Sequence, residues 1–213
     1  MHKRLNYLLC CIFLLNYSTA LTKVKPNVKA QQVLDQIKIP TSLQADFTYT
    51  TAIENAKEIQ ETHGQVWIKG NKYHLIINDQ IIISNGQTIW SYLPALHEVQ
   101  INNYEAEAEF SPIQLLHMYQ KGYTPVSLEQ TKINKTTYEL VDLVATDKEA
   151  FITHLKLMVV KKKHEIKHIK ALDNNGAIHS FMITSFAKDI DIEDSYFEFD
   201  AAKHEDLEIV DLR

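Results

Sequence analysis

Arginine is almost missing from this sequence of 213 residues, in which Arg4 and Arg213 are the only two. The formal net charge is −5, so the chain is mildly acidic. Proteins that recognise nucleic acids or phosphate groups depend on arginine side chains and on clustered positive charge. We therefore expect no nucleic-acid partner.

Cysteine is equally scarce, and both cysteines, Cys10 and Cys11, lie near the amino terminus. Lys3 and Arg4 precede an apolar run over 8–15, and small residues follow at 18–20, which is typical of a secretory signal peptide. The run is shorter than the roughly 20 apolar residues of a transmembrane helix. We expect residues 1–20 to be removed after Ala20 and residues 21–213 to form a single domain that is not embedded in a membrane. That domain would contain no disulfide and no cysteine-based site.

Glycine and proline are also few, with five of each, and they separate short apolar segments. Residues 63–101 are rich in β-branched and aromatic side chains and are interrupted at 70–71, 78–79, 85–86 and Pro94. This pattern predicts an antiparallel meander. Both faces of the predicted strands carry apolar residues, so we expect each face to be covered by helices, by the curvature of the sheet or by a ligand.

Further strands are predicted over 43–54, from about 57, and over 125–133, 136–145, 151–161, 164–172, 177–187 and 195–199. The strands do not alternate with helices as in a parallel α/β sheet. The fold class expected is therefore mainly β (α+β), with a strongly curved antiparallel sheet or barrel.

Two helices are predicted. One follows Asn27 and ends before Pro40. The other spans 111–121, with Ser111 as N-cap, Pro112 in the first turn and Gly122 after the last. The second is either an ordinary core helix or a cover over an apolar cavity, where Met118 would adapt to variable ligands.

The sequence offers no catalytic constellation. His164 and His168 lie in a predicted strand, where residues four apart are separated by about 13 Å, too far to share a metal ion. Acidic runs at 105–109 and 189–194 are typical of solvated surfaces rather than of paired glycosidase carboxylates. We expect no enzymatic activity, no catalytic residue, no metal and no cofactor. A hydrolase would need a serine and a histidine in hydrogen-bond contact inside a cavity.

Several segments together resemble the outer-membrane lipoprotein carrier protein (LolA) family: LQADFTYT, GQVWIKGNKYHL, IISNGQTIWSYLPALHEV, SPIQLL and the terminal FEFDAAKHEDLEIVDLR. The resemblance implies an incomplete antiparallel β-barrel whose open side is covered by helices around an apolar cavity. It implies a monomeric carrier in the periplasm of a Gram-negative bacterium. The carrier would take acylated lipoproteins from an inner-membrane lipoprotein-releasing ABC transporter towards the outer membrane, where the acceptor is left open. The alternative is a periplasmic sensor of lipids or lipoproteins, or a general binder of hydrophobic ligands, with the same fold.

By position in these motifs, the residues expected to contact acyl chains come from the first strand, the meander and the second helix. They are Leu43, Phe47, Tyr49, Trp67, Tyr73, Leu75, Ile83, Trp90, Tyr92, Leu115, Leu116 and Met118. A shift of one residue would replace every inward side chain of a strand by its neighbour.

Gly70 departs from the family pattern, in which many members have an arginine after the lysine of this strand that holds the covering helix. Since no internal arginine is available, either Lys69, Lys72 or apolar contacts replace it, or the covering helix is held more loosely. We predict that apolar packing is the main replacement.

Overall fold

The computed structural model describes residues 25–53, 60–104 and 111–213. These residues form one sheet of twelve strands in the order β12-β6-β5-β4-β3-β2-β1-β11-β10-β9-β8-β7. The strands are β1 (Ser42–Ile53), β2 (Gln60–Lys69), β3 (Lys72–Ile77), β4 (Gln80–Ser84), β5 (Thr88–Leu93), β6 (Glu98–Asn103), β7 (Tyr123–Ile133), β8 (Thr136–Ala145), β9 (Ile152–Val160), β10 (Glu165–Asp173), β11 (Ala177–Lys188) and β12 (Glu208–Asp211). The helices are α1 (Val28–Gln36) and α2 (Pro112–His117), with short 3₁₀ turns at Pro94–Leu96, Met118–Gln120, Asp194–Phe197 and Ala201–Lys203.

The sheet is curved and does not close, because β12 and β7 remain at its two ends. Every neighbouring pair is antiparallel except β12 with β6. The expected mainly β class and the incomplete, strongly curved antiparallel sheet are confirmed. β1 lies at the centre, since it pairs with β2 on one side and with β11 on the other.

Helix α1 begins as the sequence predicts. The Asn27 side-chain oxygen accepts a hydrogen bond from the Ala30 amide at 3.0 Å, which satisfies one of the free donors at the helix start. Its apolar face buries Ala30, Val33 and Leu34 in a first cluster, which α1 forms with inward side chains of β8, β9 and β10 such as Val141. This cluster stabilises one half of the sheet's inner face.

Helix α2 is shorter than predicted. Ser111 caps it by accepting a hydrogen bond from the Gln114 amide at 3.2 Å, and Pro112 follows in the first turn. After six residues the chain tightens into the 3₁₀ turn Met118–Gln120, and Gly122 follows with φ +82°. The predicted single helix over 111–121 is therefore two short pieces, and α2 packs against a second cluster on the inner face, made by Leu43, Ala45, Val66, Ile68 and Tyr73.

The strand predicted over 195–199 is wrong. The chain forms the 3₁₀ turn Asp194–Phe197 there. In this turn Phe197 is completely buried, and the neighbouring Tyr196 stacks on His74 with ring centroids 4.5 Å apart. The alternating aromatic residues of this segment thus pack against the sheet and do not pair as a strand. The actual last strand, β12, was missed; it runs parallel to β6, where the Glu208 amide donates to His97 O at 2.8 Å.

Three further predictions involve residues outside the described ranges. The strand expected from about 57 begins at Gln60 in the described chain, and the acidic run at 105–109 and residues 1–20 are not described. Within the described ranges, no helix is both long and apolar enough to span a bilayer.

Candidate functional site

The central strands build an apolar wall on the inner face of the sheet. Along β1, side chains alternate between faces, so Leu43, Ala45, Phe47 and Tyr49 point the same way. The register of the sheet aligns Ala45 with Val66 of β2, and Val66 in turn with Leu75 of β3. Apolar residues on three adjacent strands therefore face the space beneath α2.

That space is a cavity of about 250 Å³. Strands β1, β2, β3, β10 and β11 supply most of its wall, and α2 supplies the cover. The lining residues are Leu43, Ala45, Phe47, Tyr49, Val66, Ile68, Leu75, Ile77, Pro112, Leu115, Leu116, Ile169, Phe181, Ile183 and Phe186. Every one of these side chains except Tyr49 lacks a polar atom, so the cavity suits hydrocarbon rather than a hydrogen-bonding substrate.

Gly64 shapes the cavity by leaving room for an aromatic ring. It lies directly opposite Phe47 on the neighbouring strand. A Cβ atom built on Gly64 would lie 2.4 Å from Phe47 Cζ, which is closer than atoms in contact can approach. The ring centroid of Phe47 is 6.3 Å from that of Phe181 across the cavity wall. The absence of a side chain at Gly64 thus fixes where the Phe47 ring lies.

A polar network borders the cavity at Tyr49. The Thr51 hydroxyl donates to the Tyr49 oxygen at 2.6 Å, and the Tyr49 hydroxyl is 2.9 Å from His179 Nδ1. His179 Nε2 lies 3.1 Å from Asp173 Oδ2. The hydrogen bond from His179, together with backbone amides, keeps the pKa of the Asp173 carboxyl below its ordinary value. Tyr49 also stacks on Phe181, with ring centroids 4.7 Å apart. The hydrogen bonds and the stacking together hold the Tyr49 ring in the cavity wall.

Six of the twelve residues expected to contact acyl chains line this cavity: Leu43, Phe47, Tyr49, Leu75, Leu115 and Leu116. Sequence reasoning missed Ala45, Val66, Ile68, Ile77, Pro112, Ile169, Phe181, Ile183 and Phe186. Ala45 shares a face with Leu43 and Phe47, so strand alternation was the signal that could have found it. No local signal could have found the residues of β10 and β11, because their place depends on β11 pairing with β1.

Four of the other six residues lie on the opposite, outer face of the sheet. The register aligns Trp67 with His74, His74 with Ile83, and Ile83 with Trp90, so these side chains share one face. Tyr92 lies on the same face as Trp90, two residues away. In β2 the cavity is lined by the neighbours Val66 and Ile68 instead of Trp67. The expected inward face was thus off by one residue in β2, β4 and β5.

The carboxyl-terminal segment covers this outer face. Tyr196 packs edge-on against Trp67, with ring centroids 5.5 Å apart, and the ring centroids of Phe199 and Tyr92 are 5.4 Å apart. Burial lowers the pKa of His74 beneath Tyr196, although a hydrogen bond with the Tyr196 carbonyl opposes the shift. Trp67 and Tyr92 of the meander are therefore packed by the protein's own chain.

Tyr73 and Met118 are on the inner side but outside the cavity. Tyr73 is only 2% exposed and belongs to the second cluster with Leu43 and Ile68. Met118 packs against the first cluster, beyond the end of α2. Both serve as packing between the cavity and the rest of the core.

Gly70 occupies a tight turn with φ +60°, and its amide donates to Thr41 O at 2.9 Å. The neighbouring lysines bind the carboxyl-terminal segment, since Lys69 and Lys72 lie 2.8 and 3.0 Å from the Asp194 carboxylate. The hydrogen bond between Lys69 and Asp194 raises the pKa of Lys69 and lowers that of Asp194. The covering helix α2 instead meets the second cluster through Ile113 and Leu116. The two lysines beside Gly70 thus contact the carboxyl-terminal segment, and the apolar contacts of α2 are with the second cluster.

One serine and one histidine do lie in hydrogen-bond contact, with His168 Nε2 2.6 Å from Ser180 Oγ. Their strand neighbours Ile169 and Phe181 line the cavity, so alternation places this pair on the outer face. Burial, followed by the charge of Lys170, lowers the pKa of His168 to about 4. The pair does not meet the condition set for a hydrolase. Across the residues that the structure describes, no group of three or more metal-ligating side chains is close enough to hold an ion.

Comparison with known families agrees with the covered, curved sheet and its cavity. The family model described as outer membrane lipoprotein carrier protein LolA matches residues 40–200. This chain belongs to the LolA family. The match spans β1 to β11, the strands that form the cavity, and it also includes α2.

Individual relatives of this LolA family member are distant. It is 28% identical over 91 residues to the outer-membrane lipoprotein carrier protein of Photorhabdus laumondii, a match covering 41% of this chain and 45% of the relative. The match to the carrier protein of Shewanella baltica OS155 is longer, with 26% identity over 174 residues and 80% of each chain. A crystal structure of an uncharacterized conserved protein from Thermus thermophilus has the same fold, with a TM-score of 0.55 at 13% identity over 86% of this chain and 99% of that one.

Proposed function

We propose that this protein binds the acyl chains of lipoproteins in the cavity beneath α2 and carries them through an aqueous compartment. The observation that supports the proposal most strongly is the wall of side chains contributed by β1, β2, β3, β10, β11 and α2, which contains almost no polar atoms. Each methylene group taken from water into such a cavity gains about 0.8 kcal/mol. A long acyl chain therefore has a large free energy of transfer into the protein.

The cavity of about 250 Å³ is smaller than the roughly 300–1,000 Å³ of ordinary ligand pockets. Several acyl chains would need more room than it provides. Helix α2 is the element best suited to move, because it has six residues and meets the second cluster through few apolar side chains, among them Ile113 and Leu116. We infer that loading displaces α2 from the inner face.

The cellular setting that we propose follows from family membership and from the amino-terminal segment. Residues 1–20 would direct export and be removed, and residues 21–213 would act as a monomeric, non-enzymatic domain in the periplasm of a Gram-negative bacterium. The cargo would be released to it by an inner-membrane ABC transporter. It would then be delivered towards the outer membrane.

The second candidate function is a sensor, or a general hydrophobic-ligand binder, that uses the same cavity. Depletion of the protein in its source bacterium separates the two. A carrier predicts that acylated lipoproteins accumulate in the inner membrane after depletion. Normal sorting of lipoproteins would contradict the carrier function and favour the alternative.

The cavity itself is tested by a matched pair of substitutions. Leu116→Glu places a carboxylate in the cavity wall, whereas Leu96→Glu makes the same change at a side chain that is 66% exposed in a surface turn. We expect mass spectrometry to find acylated peptide or lipid bound to the wild type and to Leu96→Glu. Bound lipid should fall at least about ten-fold in Leu116→Glu, because a charge in an apolar site is strongly disfavoured. Equal lipid in both variants would contradict the assignment of the cavity.

A further inference from the structure

The sheet opens between β10 and β11 near one end. These strands pair from Leu172 opposite Ile178 to His168 opposite Met182. Beyond that point the two strands no longer pair with each other. β10 remains paired with β9 as far as Glu165, and β11 remains paired with β1 as far as Lys188. Each strand has a register irregularity near the point of separation, which lets the two diverge.

A groove of about 320 Å³ occupies the opening. Tyr138, Val160 and Thr184 are among its lining residues, so its walls are partly polar. Two further lining residues, Ile183 and Phe186, also line the acyl cavity. The groove and the cavity are therefore adjacent and share these two side chains as a wall. A ligand with a polar end and a hydrocarbon chain matches this change from a mixed to an apolar lining.

Positive charge is concentrated in the groove. The Lys167 side chain is half-buried, and its ammonium donates to the backbone carbonyl of Ile183 in the shared wall. No carboxylate in the described part of the chain is within ion-pair distance of Lys167, although buried lysines are usually paired. Glu165, the one carboxylate lining the groove, already has two lysines, with Lys188 at 3.1 Å and Lys163 at 3.9 Å.

We propose that this groove binds the anionic head group of an acyl-chain lipid whose hydrocarbon lies in the adjacent cavity. Lys163 and Lys167 line the groove with a single carboxylate, Glu165, which is already paired with Lys163 and with Lys188, so the groove has an excess of positive charge in a protein whose net charge is −5. The Lys167 ammonium has three donors and gives one to Ile183, which leaves donors for a carboxylate or phosphate oxygen. This inference rests on the proposed acyl-binding function.

The test measures, by titration calorimetry on the purified domain, the binding of three lipids with the same sixteen-carbon chain. Palmitate carries a carboxylate, palmitoyl-lysophosphatidylglycerol carries a phosphate, and monopalmitoylglycerol is neutral. We expect at least one anionic lipid to bind about ten-fold or more tightly than the neutral one, since hydrogen bonds to charged groups are the strong ones. The preference should shrink as salt is raised. Which anionic lipid binds more tightly identifies the source of the charge.

One lysine substitution tests the groove, and a second on the same strand is its control. Lys167→Gln should remove most of the preference for anionic lipid and leave binding of monopalmitoylglycerol unchanged. Lys170→Gln alters an exposed lysine on the outer face, outside the groove, and should retain the wild-type preference. Circular dichroism and the retained neutral binding show that each variant is folded.

The outcomes separate this inference from the function on which it rests. Equal binding of neutral and anionic lipids, or an equal loss of both in Lys167→Gln, would overturn the head-group site while leaving the acyl cavity intact. If none of the three lipids binds to the wild type, the acyl-binding function fails and the inference fails with it.

Discussion

Gly64 and Phe47 show how one missing side chain shapes the cavity. Because a Cβ on Gly64 would lie 2.4 Å from Phe47 Cζ, the ring fits only while position 64 is a glycine. Gly64 is not among the glycines with positive φ, so an alanine could adopt its backbone conformation. The cost of substitution would therefore come from the aromatic ring and not from the backbone.

Gly64→Ala should destabilise the fold by about 1–3 kcal/mol, as is typical when an extra carbon is forced into packed structure. Urea unfolding measures this change. The double variant Gly64→Ala/Phe47→Leu should lose less stability than the two single variants predict together, because the smaller side chain relieves the clash. Strict additivity would show that the two residues do not interact as described.

Burial also changes the protonation of His168. Its pKa is lowered from the ordinary 6.5 to about 4, chiefly by burial. Between these values the unfolded chain binds a proton that the folded protein does not. The stability linked to His168 is therefore complete above pH 6.5 and is lost as the pH falls towards 4.

His168→Gln should make the free energy of unfolding less dependent on pH between 6.5 and 4. The decrease in this free energy over that range should be smaller than in the wild type, by at most about 3 kcal/mol. The measurement is urea unfolding at several pH values across the interval. His154→Gln, which changes an exposed histidine on the adjacent strand, should retain the wild-type dependence. If both variants follow the wild-type curve, His168 is not held neutral by burial.

Among the elements, α2 is the one whose own stability bears most on the proposed function. It has six residues, and helices so short are marginal unless capped and packed. The cap is Ser111, which is 4% exposed and accepts from the Gln114 amide. The packing is the contact of Ile113 and Leu116 with the second cluster. A short helix held by one cap and a few apolar contacts can detach from the sheet without unfolding it.

Ser111→Ala should destabilise α2 by about 1 kcal/mol, which corresponds to roughly five-fold faster hydrogen exchange at the amides of Leu115 and Met118, which donate to Ser111 O and Gln114 O. Asn27→Ala is the matched control, because it removes the equivalent cap of α1. It should speed exchange in α1 and leave α2 unchanged. Unaltered exchange in α2 after Ser111→Ala would show that the cap does not hold this helix closed.

At the scale of the whole molecule, the two faces of one sheet have different covers. The inner face is covered by α1 over the first cluster and by α2 over the cavity. The outer face of the meander is covered by the carboxyl-terminal segment, in which Phe197 is completely buried. The inner cover leaves an apolar space beneath it, and the proposed ligand site is there.

The sequence by itself determined most of the strands and where both helices begin. Alternation and capping are local properties, so the first strand and the caps Asn27 and Ser111 could be predicted. Alternation also showed which residues of a strand share a face.

Only the tertiary structure decided which face is the inner one. Trp67, Ile83, Trp90 and Tyr92 are as apolar as the residues that line the cavity. The pairing of their strands places them on the outer face, where Tyr196 covers Trp67 and Phe199 covers Tyr92. The pairing of β11 with β1, which brings Phe181 into the cavity, and the separation of β10 from β11 at Lys167 depend on contacts between distant parts of the chain. Side-chain hydrophobicity favours burial on either face, and the packing of distant segments selects one of them.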